Sequence, residues 1–142
     1  MEVIRVKYLR DIKKIERFNV GDWIDLRAAE DIALLAGEYR LIPLGVAMEL
    51  PEGYEALIAP RSSTFKKYRI FLANSLGIID ESYKGENDEW HFPAYAAEDT
   101  FIHKNERICQ FRIIQHQPLI HLKEVKMLGN KDRGGIGSTG RV

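Results

Sequence analysis

The chain has 142 residues and carries 21 acidic and 21 basic side chains, so its formal net charge is zero. A nucleic-acid coat protein or a membrane-surface binder needs an excess of basic groups, and the charge balance therefore argues against nucleic acid and membrane as partners. The lone cysteine, Cys109, excludes an intramolecular disulfide bond and fits a reducing compartment. No stretch resembles a signal peptide or reaches about 18 apolar residues, so we expect a soluble cytoplasmic protein with one domain.

Many short apolar runs, separated by turn residues, follow one another along the chain. Strands are predicted over 4–8, 23–28, 55–59, 107–115 and 119–125, and further short apolar runs occupy 31–36, 38–50, 70–73 and 100–103. No segment shows a sustained helical period. This pattern is typical of an all-β protein built as an antiparallel sandwich, barrel or jelly roll.

The composition changes after Leu128. Residues 129–140 contain five glycines and few apolar side chains, so this segment cannot bury enough surface to order itself. We therefore expect a β domain over residues 1–128 and a flexible glycine-rich arm over 129–142. A ligand or a neighbouring chain would have to order the arm.

The stretch from Gly77 to Glu86 places Asp80 and Tyr83 between two glycines, and a strand-like aromatic run follows over 90–95. The pattern predicts a β-hairpin with polar groups at its mouth. Residues three apart in an extended chain point to opposite faces, so Asp80 and Tyr83 can share a pocket only if the chain bends between them. Asp80 can accept a proton from water, or it is a turn residue that bonds its own backbone; Tyr83 can stack on a sugar or base, or it is a core aromatic.

Two further stretches can bind phosphate. Residues 60–64 place an arginine and three hydroxyl side chains at the end of a predicted strand, and residues 133–140 offer an arginine, two hydroxyl groups and several backbone amides. A solvated turn and an unstructured end are the alternatives. The four histidines are scattered and show no metal-ligand spacing, so no zinc site is predicted.

Five segments, in this order, resemble the five motifs of the trimeric dUTP pyrophosphatases (dUTPases). The third is the pattern Asn-x-x-Gly-x-Ile-Asp-x-x-Tyr-x-Gly over 74–85, and the others lie at 21–28, 60–63, 105–110 and 133–140. The resemblance implies an antiparallel β jelly roll, the β-clip of this family, assembled as a homotrimer. Each active site would take motifs from more than one subunit, and the arm would cross to a neighbour's site.

The implied reaction is hydrolysis of dUTP to dUMP and pyrophosphate. It limits uracil incorporation into DNA and supplies dUMP for thymidylate synthesis. Asp80 matches the residue that activates the attacking water, which reacts at the α-phosphorus. The cofactor would be Mg²⁺ held by the three phosphates, and Asp25 matches the acidic residue that reaches the metal through water.

The other matched residues divide between the nucleoside and the phosphates. Asn74, Gly77 and Ile79 match the segment that reads uracil, whose N3 donor and O4 acceptor are reversed in cytosine; such a mismatch discriminates by roughly 10⁴-fold. Tyr83 matches the tyrosine that stacks on deoxyribose. The residues matched to phosphate binding, or to the arm that closes over the site, are Arg61, Ser62, Ser63, Gln110, Arg133, Ile136, Gly137, Ser138 and Thr139.

The chain departs from the family pattern at two places. Gly21 stands four residues before Asp25 rather than two, and Ile136 stands where the family has a phenylalanine that covers the uracil. Isoleucine cannot stack as an aromatic ring does. We therefore hypothesise that Trp90 or Phe92 supplies the lid.

Two alternatives to a dUTPase come from different classes. A dCTP deaminase, or a bifunctional deaminase and dUTPase, shares the fold and an Arg-Ser-Ser element, but residues 92–97 are apolar and aromatic where that class uses a glutamate base. The non-enzymatic alternative is a trimer whose arm orders on nucleotide binding and thereby switches contact with a regulatory protein partner.

Overall fold

The computed structural model describes residues 1–17, 20–137 and 140. These residues form eleven strands and one five-residue helix, so the predicted all-β fold is confirmed. None of the helical structure within these ranges is long and apolar enough to cross a membrane. The elements are β1 (Arg5–Tyr8), β2 (Ile24–Arg27), β3 (Ile32–Leu34), β4 (Tyr39–Pro43), β5 (Val46–Glu49), β6 (Tyr54–Pro60), α1 (Thr64–Tyr68), β7 (Ile70–Leu72), β8 (Gly77–Ile79), β9 (His91–Ala96), β10 (Thr100–Ile102) and β11 (Arg107–Gln115).

A four-stranded antiparallel sheet in the order β2-β11-β6-β8 holds the central strand of the fold, β11. This strand pairs with β6 over seven positions, from Cys109 opposite Pro60 to Gln115 opposite Tyr54, and with β2 on its other side. The register against β2 shifts after Arg107, an irregularity of the β-bulge type. The isoleucine and phenylalanine side chains of β11 suit a strand that is covered on both edges.

A three-stranded sheet in the order β4-β9-β7 supplies the other large part of the core, and the pairs β1-β5 and β10-β3 complete the fold. Along β9, Phe92, Ala94 and Ala96 are buried at every second position, as the two-residue period of a strand requires. Trp90, just before β9, packs edge-on against Phe111 of β11, with ring centroids 5.3 Å apart. Side chains of both sheets thus meet in one hydrophobic cluster.

The predicted strands over 4–8, 23–28, 55–59 and 107–115 are formed, with small shifts at their ends. The strand predicted over 119–125 is wrong, because residues 116–128 are exposed and form no ladder with any described strand. Apolar side chains occur in this segment, but a strand also needs a partner for its backbone groups. Helix α1 was not predicted, since five residues are too few to show a helical period.

The hairpin predicted around Gly77–Ile79 is wrong in its pairing. β8 pairs with β6, whereas β9 pairs with β4 and β7 in the other sheet. The chain turns repeatedly between the two strands, and the backbone N–H of Trp90 then donates to the Val46 carbonyl at 2.9 Å. Two apolar runs that are close in sequence therefore belong to different sheets, a choice that local patterns do not encode.

Replacing Phe92 by alanine tests its place in the core. Phe92 has no exposed surface, so Phe92→Ala leaves a cavity, and we expect the free energy of unfolding to fall by about 3–5 kcal/mol. The matched control is Phe101→Ala, because that ring is 49% exposed and its loss should cost under about 1 kcal/mol. Urea unfolding followed by circular dichroism measures both, and equal losses would contradict the assignment of Phe92 to the core.

Candidate functional site

Three shallow hollows on the surface hold many of the predicted site residues. The first, here called the arginine hollow, is lined by Trp23, Asp25, Arg61, Ser62 and Gln110, together with residues 20–22. Strand pairing brings these groups together, because β11 places Gln110 opposite Asp25 of β2 and opposite Ala59 of β6, and Arg61 follows β6 directly. Residues of the first, second and fourth motifs therefore lie together in a single chain.

The charges of the arginine hollow are ordered around one carboxylate. Asp25 Oδ1 lies 3.1 Å from Arg61 Nε, and Asp25 Oδ2 accepts a hydrogen bond from Arg107 Nη1 at 3.1 Å. Asp22, which also lines the hollow, pairs with Arg112 at 3.5 Å. Two guanidinium groups around a single Asp25 leave a positive charge here, which suits an anionic ligand.

The loop that carries Arg61 is fixed by a buried threonine. The Arg61 backbone N–H donates to Thr64 Oγ1 at 2.8 Å, and that hydroxyl donates to the Ile108 carbonyl at 2.8 Å. Thr64 has no exposed surface. Gln110 Nε2 donates to the Pro60 carbonyl at 3.0 Å, which braces the same loop from β11.

Sequence reasoning missed Thr64 as a site residue. Its neighbours in the Arg-Ser-Ser-Thr stretch differ from it, because Ser62 is exposed and Ser63 precedes α1 without a side-chain capping bond. The only signal in the sequence was the third hydroxyl of the stretch, which gives no indication of which hydroxyl is buried. Ser62 is thus the hydroxyl available to a ligand, and Thr64 is the one that holds the loop.

The second hollow, here called the tyrosine hollow, is lined by Asn74, Gly77, Ile79 and Tyr83, with Trp90 at its floor. Gly77 lies opposite Ile58, and a Cβ atom at Gly77 would stand 3.0 Å from the Ile58 Cβ, so a larger residue does not fit without a shift. The volume is about 210 Å³, below the roughly 300–1,000 Å³ of sites that enclose small ligands. The tyrosine hollow is therefore smaller than a typical enclosed ligand site.

The third hollow, here called the aspartate hollow, contains Asp80 together with Gly53, Glu81, Ser82 and His116. The Ser82 N–H donates to Asp80 Oδ2 at 2.8 Å, and the Ser82 hydroxyl donates to the same oxygen. These two hydrogen bonds, the hydroxyl one first, hold the pKa of Asp80 below its ordinary value, with a smaller contribution from His116. Asp80 is therefore both a turn residue and an exposed, ionised carboxylate.

The predicted bend between Asp80 and Tyr83 is present, because the Tyr83 N–H donates to the Asp80 carbonyl at 3.0 Å. The bend does not bring the two side chains into one hollow of the same chain: Asp80 faces the aspartate hollow and Tyr83 faces the tyrosine hollow. Asp80 and Tyr83 are thus both exposed, but one chain does not assemble them around one ligand.

The lid prediction is wrong for both residues. Trp90 and Phe92 have no exposed surface and pack in the hydrophobic core, so neither can close over a ligand from the solvent side. Trp90 instead forms the floor of the tyrosine hollow. The sequence places apolar residues at every second position here, namely Trp90, Phe92, Ala94 and Ala96. This alternation indicates burial, because one face of a strand in an antiparallel sheet is normally buried.

The arm residues lie apart from the three hollows. Arg133, Ile136 and Gly137 are exposed and line none of them. Ser138 and Thr139 lie outside the described residues, so their predicted roles are not tested by the structure.

A metal ion would find few direct ligands in this chain. Among the described residues no group of three or more histidine, cysteine, aspartate or glutamate side chains is arranged to hold a metal. The carboxylate of Asp25 is engaged by two arginines. Asp25 would therefore be an outer partner of a hard cation, and ligand phosphates and water would supply most of the direct ligands of that cation.

The fold and the hollows together define a class of protein. The chain is an antiparallel β protein with a hollow beside β2, β11 and β6 that holds the ion pair of Asp25 and Arg61, and with a separate small hollow whose lining includes Asn74 and Tyr83. The family model described as dUTPase matches residues 23–140. The chain therefore belongs to the dUTPase family, and the predicted family membership is confirmed.

Curated relatives match along nearly the whole chain. The SPbeta prophage-derived deoxyuridine 5'-triphosphate nucleotidohydrolase YosS of Bacillus subtilis is 60% identical over 138 residues, covering 96% of this chain and 97% of YosS. A deoxyuridine 5'-triphosphate nucleotidohydrolase of Rickettsia prowazekii is 37% identical over 153 residues, covering 99% of each chain.

Solved structures show the same fold at low sequence identity. The Staphylococcus bacteriophage 80alpha dUTPase, as a G164S mutant with dUpNHpp, aligns with a TM-score of 0.79 at 22% identity and covers 98% of this chain and 99% of its own. The dUTPase from phage phi11 of S. aureus, described with a structural Mg(II) ion, aligns with a TM-score of 0.76 at 20% identity, covering 89% of this chain and 98% of its own.

The two hydrogen bonds from Ser82 predict how Asp80 titrates. Ser82→Ala removes the hydroxyl donor that favours the charged form of Asp80, so the pKa of Asp80 should rise toward its ordinary value. Carboxyl-carbon NMR titration of Asp80 in the wild type and the variant measures the shift. Ser62→Ala, a change in the separate arginine hollow, is the control and should leave this pKa unchanged; a fall after Ser82→Ala would contradict the argument.

Proposed function

We propose that this chain hydrolyses dUTP to dUMP and pyrophosphate. The observation that carries the proposal is the Asp25–Arg61–Arg107 network, an ordered positive site at the end of β6. In addition, the third motif lines a separate small hollow that has room for part of a nucleoside. Family membership, and relatives that bear the name deoxyuridine 5'-triphosphate nucleotidohydrolase, support the same activity.

The triphosphate is bound by the arginine hollow in this proposal. Arg61 and Ser62 line the hollow, and Asp25 orients the guanidinium groups of Arg61 and Arg107 because it forms an ion pair with each of them. Oriented guanidinium groups bind phosphate oxygens with charge-assisted hydrogen bonds. A Mg²⁺ ion on the triphosphate would neutralise charge and align the phosphates, with Asp25 as the residue of this chain that would hold the ion through water.

The deoxyuridine is bound by the tyrosine hollow. Asn74 and the backbone of β8 supply amide donors and acceptors to the base, and the close contact of Gly77 with Ile58 leaves little spare space at this edge. A site that pairs with the N3 donor and O4 acceptor of uracil leaves its own acceptor and donor unpaired when cytosine is bound. The ring of Tyr83 lies along the sugar, where a 2′-hydroxyl would collide with it.

Asp80 accepts the proton of the attacking water. Its lowered pKa keeps it a carboxylate at neutral pH, and the two hydrogen bonds from Ser82 fix its orientation. The water oxygen forms a bond to the α-phosphorus while the bond from that phosphorus to the bridging oxygen of the β-phosphate breaks. The proton passes to Asp80, and pyrophosphate leaves with the electron pair of the broken bond.

The active site is completed by a homotrimer in this proposal, because one chain spreads its site residues over three hollows. Two exposed apolar surfaces support the assembly. A row across the second sheet joins Tyr39, Tyr95 and Phe71, and Phe65 stacks on Phe71 at 4.8 Å. Residues 119–128 are likewise exposed although several are large and apolar. Contiguous exposed apolar surface marks interfaces, and neighbouring copies would cover it.

The arm over 129–142 closes over the active site of a neighbouring subunit in this proposal, which gives Arg133, Ile136 and Gly137 a ligand to contact. The role of the reaction would be to limit uracil in DNA and to supply dUMP. Contact with a regulatory protein partner stays a prediction, since no contact of the described residues favours it. Deamination of dCTP stays the enzymatic alternative, and its product, ammonia, distinguishes it from hydrolysis of dUTP.

A substrate panel tests the activity. Pyrophosphate release with Mg²⁺ is measured from dUTP, dCTP, dTTP and UTP in parallel, and we expect rapid release from dUTP alone. Asp80→Asn should reduce turnover by roughly 100-fold or more, because it removes the proton acceptor. Ammonia from dCTP would place the protein among the deaminases, and dUTP binding without turnover would overturn the enzymatic proposal.

The arginine hollow gives a second test. Asp25→Asn removes the charge that orients Arg61 and Arg107, so we expect KM for dUTP to rise about tenfold, the effect of losing one charge-assisted interaction. Asp22→Asn is the matched control, because Asp22 lines the same hollow but is 72% exposed and pairs with Arg112. A KM that responds equally in both variants would show that only the charge of the hollow matters.

A further inference from the structure

We propose that Arg10 and Glu89 are positioning residues that hold Tyr83 against the sugar and so set the preference for deoxyribose over ribose. This inference rests on the proposed function. Neither residue belongs to the five motifs, and they are separated by 79 positions in the sequence. Their contacts form a chain that ends at the Tyr83 hydroxyl.

Glu89 is a largely buried carboxylate with both oxygens engaged. Glu89 Oε2 accepts from Arg10 Nε at 2.9 Å and from the Gly45 N–H at 2.9 Å, and Glu89 Oε1 accepts from Arg10 Nη2 at 3.1 Å. The Glu89 side chain is only 13% exposed. A bidentate arginine fixes the plane of the carboxylate as well as its position, so Glu89 is held in one orientation.

The backbone of Glu89 connects the Arg10–Glu89 pair, here called the clamp, to the tyrosine hollow. The Tyr83 hydroxyl donates to the Glu89 carbonyl at 2.9 Å, and the Tyr83 N–H donates to the Asp80 carbonyl at 3.0 Å. Tyr83 is therefore tied at both ends, by its hydroxyl to Glu89 and by its backbone to the proposed proton acceptor. Because the Tyr83 side chain is partly exposed, these ties determine where its ring lies.

The Glu89 side chain also contacts the turn at Gly45. Gly45 has φ of +76°, and a Cβ atom there would stand 2.8 Å from Ile12 Cδ1, so the chain packs closely where its N–H meets Glu89. Arg10 also donates to Glu30 Oε2 at 3.2 Å. By contrast, residues 84–87 between Tyr83 and Glu89 are exposed. Glu89 thus supplies a buried attachment point at the far end of the segment that carries Tyr83.

Sugar selection by collision requires a fixed wall. A ring that can move by about 1 Å accommodates a 2′-hydroxyl, so loosening Tyr83 should relax selection before it abolishes turnover. Arg10→Met keeps the length of the side chain and removes its donors. We expect it to lower the ratio of kcat/KM for dUTP over UTP about tenfold, with a smaller loss, about threefold, in kcat/KM for dUTP itself.

The experiment measures that ratio in a set of variants. Glu89→Gln and Tyr83→Phe should lower it as Arg10→Met does, and Arg10→Lys, which keeps the charge but not the bidentate geometry, should be intermediate. Arg5→Met is the control, because Arg5 pairs with Glu49 at 2.8 Å with 78% of its side chain exposed, and it should leave the ratio unchanged. A double variant of Arg10→Met and Tyr83→Phe should lose no more than the larger single effect.

Two outcomes would overturn the clamp: an unchanged ratio in Arg10→Met and Tyr83→Phe, or effects that add fully in the double variant. Amide hydrogen exchange of residues 83–90 gives a readout without turnover. Arg10→Met should speed exchange there about tenfold, and Arg5→Met should not. If the wild type does not hydrolyse dUTP, the proposed function fails, and the exchange comparison then decides the clamp alone.

Discussion

The register of β11 between β2 and β6 is the constraint on which the arginine hollow depends. It sets Gln110 opposite Asp25 on one side and opposite Ala59, two residues before Arg61, on the other. Because side chains alternate between the two faces of a sheet, a slip of one residue would turn Gln110 away from the hollow and the Phe111 ring out of the core. Core packing and site geometry therefore enforce the same register.

The second sheet sets a different limit on the site. Since β8 pairs with β6 and β9 belongs to the other sheet, the segment between them bridges the two sheets. Asp80 and Tyr83 lie on this bridge and face different hollows, so each is presented outward. In the proposed homotrimer another copy would complete this split site, and the exposed aromatic row across β4-β9-β7 is consistent with that proposal.

Sequence patterns predicted much of this fold because several signals are local. The apolar run of β11, the Arg61 loop and the turn at Asp80 each depend on a few neighbouring residues, and each is found in the structure. The pairing of β8 and β9 depends on partners far away in the chain, and a local pattern cannot supply it. The lid prediction failed for another reason, since Trp90 and Phe92 were judged as aromatic residues near a motif and not by the strand face they share.

Burial of Glu89 separates the pair Arg10 and Glu89 from the exposed ion pairs of the described residues. Exposed pairs such as Arg5 and Glu49 contribute little to stability. A largely buried carboxylate costs solvation energy that its arginine only partly offsets, and apolar residues of similar size often stabilise a fold as well or better. Stability alone is therefore a weak reason for this pair. Positioning is a better reason for the pair. It contacts the Gly45 turn and, through the Glu89 backbone, Tyr83, and a bidentate pair fixes direction as well as distance.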